Sequence, residues 1–133
     1  MHVCRVNIYT VIILTGIPPS PPMNITEMDR HYGLNLSSIT LVWNEAESNE
    51  PVENYIVTVT YGSGHASYST YTYTNSSRFN LSAVPYNENI TVEIVSVNCI
   101  GVSSPTVHTV YIRKFVYTYV HGTIYVYTCN YYS

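Results

Sequence analysis

The chain has 133 residues, enough for one domain with a core of its own and too few for two comfortable ones. Charged residues make up only 10% while tyrosine occurs 15 times, a composition that suits pleated, half-buried strands and suits helices poorly, so the expected fold class is all-β. Five Lys/Arg against eight Asp/Glu leave a formal charge of −3 with no basic stripe, which argues against a nucleic-acid partner.

Residues 1–17 read as an N-terminal extension. The run Val11-Ile12-Ile13-Leu14 follows a single positive charge and leads to an imperfect small-residue cleavage site, so it makes a weak secretory signal and better fits a ragged boundary. Pro18-Pro19-Ser20-Pro21-Pro22 then holds the backbone extended and marks the lead-in to a domain. Met23 and Ile25 alternate with Asn24 and Thr26 in a short first strand with Met23 and Ile25 inward, and His31-Tyr32-Gly33 is turn-like. Ile39, Leu41 and Trp43, the only tryptophan, form the buried face of the second strand, with Thr40 and Val42 outward. The loop from Asn44 to Pro51 carries Glu45, Glu47 and Glu50, with Glu53 just beyond. It lacks the alternate-residue Asp/Asn spacing and the central glycine of a calcium loop and reads as solvated and acidic.

The third strand, Val52 to Tyr61, turns Tyr55, Val57 and Val59 to one side and Ile56, Thr58 and Thr60 to the other. Tyr68 to Thr74 is a fourth, with Tyr71 and Tyr73 on one side, and Asn75-Ser76-Ser77 supplies the next turn. Phe79 and Leu81 point inward from the fifth, followed by Val84. The sixth, Glu88 to Asn98, sets Ile90, Val92 and Ile94 against Thr91, Glu93, Val95 and Val97, and Cys99-Ile100-Gly101 turns the chain into a seventh over Val107 to Ile112. The expected core is therefore Ile39, Leu41, Trp43, Tyr55, Val57, Leu81, Val92 and Ile94.

Residues 18–113 closely resemble a fibronectin type III domain. The resemblance rests on the proline-rich lead-in, Ile39-x-Leu41-x-Trp43, Tyr55-x-Val57-x-Val59, Val84-Pro85-x-Asn87, and Val92-x-Ile94-x-Ser96-x-Asn98-x-x-Gly101, all in the right order. It implies a seven-stranded immunoglobulin-like β-sandwich of fibronectin type III topology, with the first, second and fifth strands in one sheet and the fourth, third, sixth and seventh in the other. It also implies that Trp43 and Tyr55 meet across the core, and that the job is a non-catalytic one in adhesion or protein binding. In one respect the sequence departs from the family. A tyrosine usually opens the sixth strand and bonds back to the backbone at the preceding corner; here that position is Ile90, which leaves Tyr86 to compensate.

Five N-glycosylation sequons begin at Asn24, Asn35, Asn75, Asn80 and Asn89, each expected to face solvent or lie in a turn. Cys4, Cys99 and Cys129 are an odd set without C-x-x-C spacing, so a zinc site is not indicated; Cys99, in the turn after the sixth strand, is a candidate for a disulfide. Asp29 is the only aspartate, no catalytic motif occurs, and His2, His31, His65, His108 and His121 are scattered, so neither enzyme activity nor a cofactor nor a small-molecule substrate is expected. Outward Ile56, Val95, Val97 and Tyr111 are the candidate partner face.

Residues 114–133 are rich in tyrosine, with near-repeats about His121-Gly122. They fit a β-hairpin, a membrane anchor or a low-complexity tail, and the monotony favours the tail. The expectation is an extracellular or cell-surface interaction module cut from a larger receptor-type protein, touching a membrane only through an anchor elsewhere. A spacer repeat without binding activity and a cytosolic module are the alternatives.

Overall fold

The computed structural model describes residues 16–62 and 68–128, and among these it holds strands and no helix. The strands are β1 (Met23–Tyr32), β2 (Leu36–Asn44), β3 (Asn54–Tyr61), β4 (Tyr68–Thr74), β5 (Arg78–Pro85), β6 (Asn89–Val97), β7 (Thr106–Tyr111), β8 (Phe115–Val120) and β9 (Thr123–Thr128). Alternation builds each of them: on β3 Tyr55, Val57 and Val59 are buried while Ile56, Thr58 and Thr60 are half-buried, and β6 repeats the pattern from Ile90 to Val97. Hydrogen bonding orders one sheet β1-β2-β5 and a second β4-β3-β6-β7, every pair antiparallel.

The inner faces of these two sheets meet in a single apolar cluster. Ile39, Leu41, Val57, Val84, Ile90, Val92, Ile94 and Val110 are fully buried in it, with Trp43, Tyr55 and Leu81 almost so. Trp43 and Tyr55 stand edge to face, ring centroids 5.3 Å apart at 75°. The Tyr55 hydroxyl accepts the Ala46 N–H at 3.2 Å and so ties the acidic loop to the core. Thr40, expected outward, is buried as well, because β2 is the central strand and Thr40 lies between Met28 and Asn80.

Local irregularities re-aim several side chains. On β5, Leu81 pairs with Ile39 and Val84 with Ser37, so three steps on one strand oppose two on the other, and Ala83 sits at φ 57° in the bulge. That extra residue is why Val84, and not Ala83, follows Leu81 into the core. Asn24 (φ 55°) and Asp29 (φ 49°) occupy matching register shifts on β1, an edge strand whose bulges discourage pairing with another sheet. Met23, expected inward, is exposed beside the first of these bulges. The first strand is also longer than its alternation indicates, reaching Tyr32 before the chain reverses. At the reversal the Gly33 N–H donates to the Leu36 carbonyl at 3.0 Å, and a Cβ at Gly33 would stand only 2.6 Å from that oxygen.

The proline lead-in is bound to the domain. Ser20 N–H donates to the Glu47 carbonyl and Glu47 N–H to Ser20 Oγ, both at 2.8 Å, while Thr106 Oγ1 donates to the Pro22 carbonyl at 2.6 Å. Beyond the sandwich, residues 115–128 form a hairpin where the sequence favoured a low-complexity tail. Val120 pairs with Thr123, and His121 and Gly122 between them have φ 48° and 81°, the signs of a two-residue turn that matches strand twist. The signal-like run in residues 1–17 falls almost wholly outside the described residues.

Candidate interaction surfaces

The register of the four-stranded sheet decides which outward side chains become neighbours. Ile56 pairs with Tyr73 on one side and Val95 on the other, giving a row Tyr73–Ile56–Val95 across three strands. The next row on that face is Tyr71–Thr58–Glu93–Val107. Val97 lies one step along, opposite Asn54 and bridged to the exposed Val102. Ile56, Val95 and Val97 thus come together, whereas Tyr111 does not join them. It pairs with Asn89 at the far end of β6, six positions from Val95 and so about 20 Å away along the strand. Tyr71 and Tyr73, 71% and 70% exposed, supply the bulk the sequence reading left out of the patch. Their signal was present in the alternation of β4, but the pairing that sets them beside Ile56 is not a local property.

At the open side of the sandwich, Glu27 of β1 faces His108 of β7, Oε1 to Nε2 at 2.9 Å, and Arg30 donates to the other carboxylate oxygen. Partial burial pushes the Glu27 carboxyl up, but the hydrogen bonds from His108 and Arg30, with their charges, outweigh it and hold it below its ordinary value. His108, read from sequence as an incidental surface group, therefore joins the two sheets. A carboxylate with a depressed folded-state pKa lends stability above its unfolded pKa, and that stability is lost as pH falls through the folded one. Acidifying below the ordinary glutamate pKa of about 4.3 should lower the melting temperature more in the wild type than in Glu27→Gln. Parallel acid slopes in the two proteins would contradict this.

The turn after β6 is built on Asn98, which is buried. Its Oδ1 accepts the N–H groups of Ile100 and Gly101 at 2.9 and 3.0 Å, and its Nδ2 donates to Ser48 Oγ at 2.9 Å and the Ile17 carbonyl at 3.3 Å. Cys99, next to it, is disulfide-bonded; the chain's other cysteines, Cys4 and Cys129, lie outside the described residues. The asparagines of all five sequons are exposed, and none stands in the Tyr73–Ile56–Val95 row. Among the described residues no group of His, Cys, Asp and Glu could hold a metal ion, the acidic loop included.

No protein-family model matches the sequence, and no curated protein matches it in sequence. Solved structures do match in three dimensions. The fn3 domain of the human collagen alpha-1(XX) chain superposes with a TM-score of 0.59 at 13% identity, over 74% of this chain and 88% of that one. A mutant of the domain called FN3tt gives 0.53 at 15% identity over 70% and 94%. The chain has the fibronectin type III fold. A structure of titin kinase and its flanking domains gives 0.56 at 18% identity over 71% of this chain but 17% of that one, so the same unit also recurs inside larger multidomain chains.

Within the fibronectin type III frame, the corner that lacks its usual tyrosine is closed by Tyr86. Its hydroxyl donates to the Gly33 carbonyl at 2.7 Å, linking the β5–β6 corner to the β1–β2 reversal, while Ile90 is wholly buried. Asn87 (φ 60°) supports the same corner, its N–H donating to the Ile112 carbonyl at 2.8 Å and its Oδ1 accepting the Lys114 N–H at 3.2 Å. Tyr86→Phe should cost about 1 kcal/mol in chemical denaturation, the net worth of one such bond; an unchanged midpoint would mean that water replaces it fully.

Proposed function

We propose that this fibronectin type III domain is a non-catalytic protein-interaction module of an extracellular or cell-surface protein, acting in adhesion or receptor assembly. The observation that carries the reading is the outward row Tyr73–Ile56–Val95 with Tyr71, Val97 and Val102 around it. Exposed tyrosine is a residue that interface cores favour, and part-buried Ile56, Val95 and Val97 beside it add apolar area. The extracellular setting is supported by the five exposed sequon asparagines and by the disulfide at Cys99, which fits an oxidising compartment. Asn24 and Asn80 stand on strands of the other sheet, so glycans there would leave that row uncovered.

The test is attachment of cells to a surface coated with the domain produced in a secretory host. Val95→Lys and Tyr73→Ser should reduce attachment to that of an uncoated surface while leaving the melting temperature unchanged. Equal attachment by wild type and variants would exclude this face.

One observation favours a second reading, a spacer that holds other domains apart. The chain comes in beside Asn98 and Ser48 at one end of the sandwich and leaves past Ile112 beside Asn87 at the other, the geometry of units joined in line. A domain that supports no attachment in wild-type form would leave the spacer role.

A further inference from the structure

The structure assigns a second site, at the end of the sandwich opposite the acidic loop. We propose that it binds small organic anions with an apolar body, of the aryl-carboxylate class, held and not transformed. This site is independent of the outer sheet face.

A cleft of about 600 Å³ lies there between the β1–β2 reversal and the segment leading into β8, lined by Tyr32, Leu34, Tyr86, Lys114 and Phe115. That volume falls within the range of about 300–1,000 Å³ typical of small-molecule sites. Tyr32 and Phe115, edge to face with centroids 6.4 Å apart, separate it from a smaller cleft of about 250 Å³ that adds Arg30 and Arg113. Leu34, 90% exposed, is apolar surface at the rim that an occupant would cover.

Charge selects the occupant. The whole chain is net negative with only five Lys/Arg, yet Arg30, Arg113 and Lys114 line these two clefts, and no acidic side chain is among the described residues lining them. The cleft at the other end is lined by Glu45 and Glu50. Arg30 is engaged with Glu27, but Arg113 and Lys114 take part in no ion pair among the described residues. Lys114 is also positioned. Its backbone is held by Asn87, and its Nζ stands 6.0 Å from the centroid of the Tyr86 ring, itself fixed by the bond to Gly33. An apolar body against Tyr32, Leu34 and Phe115 with its carboxylate toward Lys114 satisfies both halves of the site.

Amide chemical-shift titration of the full chain with 2-naphthylacetate, and separately with its neutral analogue 2-naphthylacetamide, tests the assignment. Saturable shifts are expected at Tyr32 to Leu34, Tyr86, Asn87 and Phe115, with the acid binding about tenfold tighter than the amide, the value of one charge-assisted contact. Lys114→Gln should erase that preference while its spectrum elsewhere overlays the wild type. Equal binding of acid and amide, shifts centred elsewhere, or no saturable shifts would overturn the site. So would retention of the chain on phosphatidylglycerol vesicles without any response to 2-naphthylacetate, which would make the cations a lipid-facing patch.

Discussion

Trp43→Ala is expected to destabilise the domain by about 3–5 kcal/mol, the range for truncating a large buried aromatic. Trp43 is 3% exposed, packs edge to face on Tyr55, and ends the inward row of the central strand β2, so the space it fills is bounded by both sheets. Small domains have about 5–15 kcal/mol in total, so the variant should lie at the margin of folding at physiological temperature. Trp43→Phe should cost far less. The indole N–H is buried without a hydrogen-bond partner among the described residues, so its removal relieves a desolvated donor and offsets part of the lost volume. Because Trp43 is the only tryptophan, unfolding has to be followed by circular dichroism in urea. Coincident curves for wild type and Trp43→Ala would mean that the residue is not in the core.

That prediction rests on a part of the fold that was legible in the sequence. Alternation with period two is a direct consequence of strand geometry, so Ile39, Leu41 and Trp43, or Ile90, Val92 and Ile94, declare their face without any knowledge of the partner strand. The bulges were less legible. Asn24 and Asp29 are residue types that tolerate positive φ, but they are equally common in turns, and nothing about Ala83 marks it for φ 57°. Only the three-residue step from Leu81 to Val84 carried that information. The hairpin was half visible: its alternation and His121-Gly122 turn were present, but the same monotony fits low complexity.

Contacts between distant residues were the least legible. Glu27 and His108 are 81 positions apart, Tyr86 and Gly33 are 53, and no local pattern pairs them. The candidate surface shows the same division. Outward Ile56 and Val95 follow from alternation, whereas Tyr73 as their neighbour, and the distance of Tyr111 from them, follow only from register. Each was fixed by which strands pair.

Asn98→Ala should be the most damaging polar substitution, at about 3 kcal/mol, because the side chain makes four hydrogen bonds from a buried position. Two of these satisfy the N–H groups of Ile100 and Gly101 inside the turn. The other two draw in Ser48 from the acidic loop and Ile17 from the lead-in, so one amide joins three segments that the sequence keeps apart. Removing it strands two donors and releases the lead-in at Ile17, while the Ser20–Glu47 and Thr106–Pro22 bonds still hold it further along. Ser48→Ala removes only one of the four and should cost about 1 kcal/mol. The double variant should then be close to Asn98→Ala alone, since the Ser48 contact is already lost there. Urea midpoints for the four proteins of this cycle measure the coupling directly. Strict additivity would show that Asn98 and Ser48 do not act through each other.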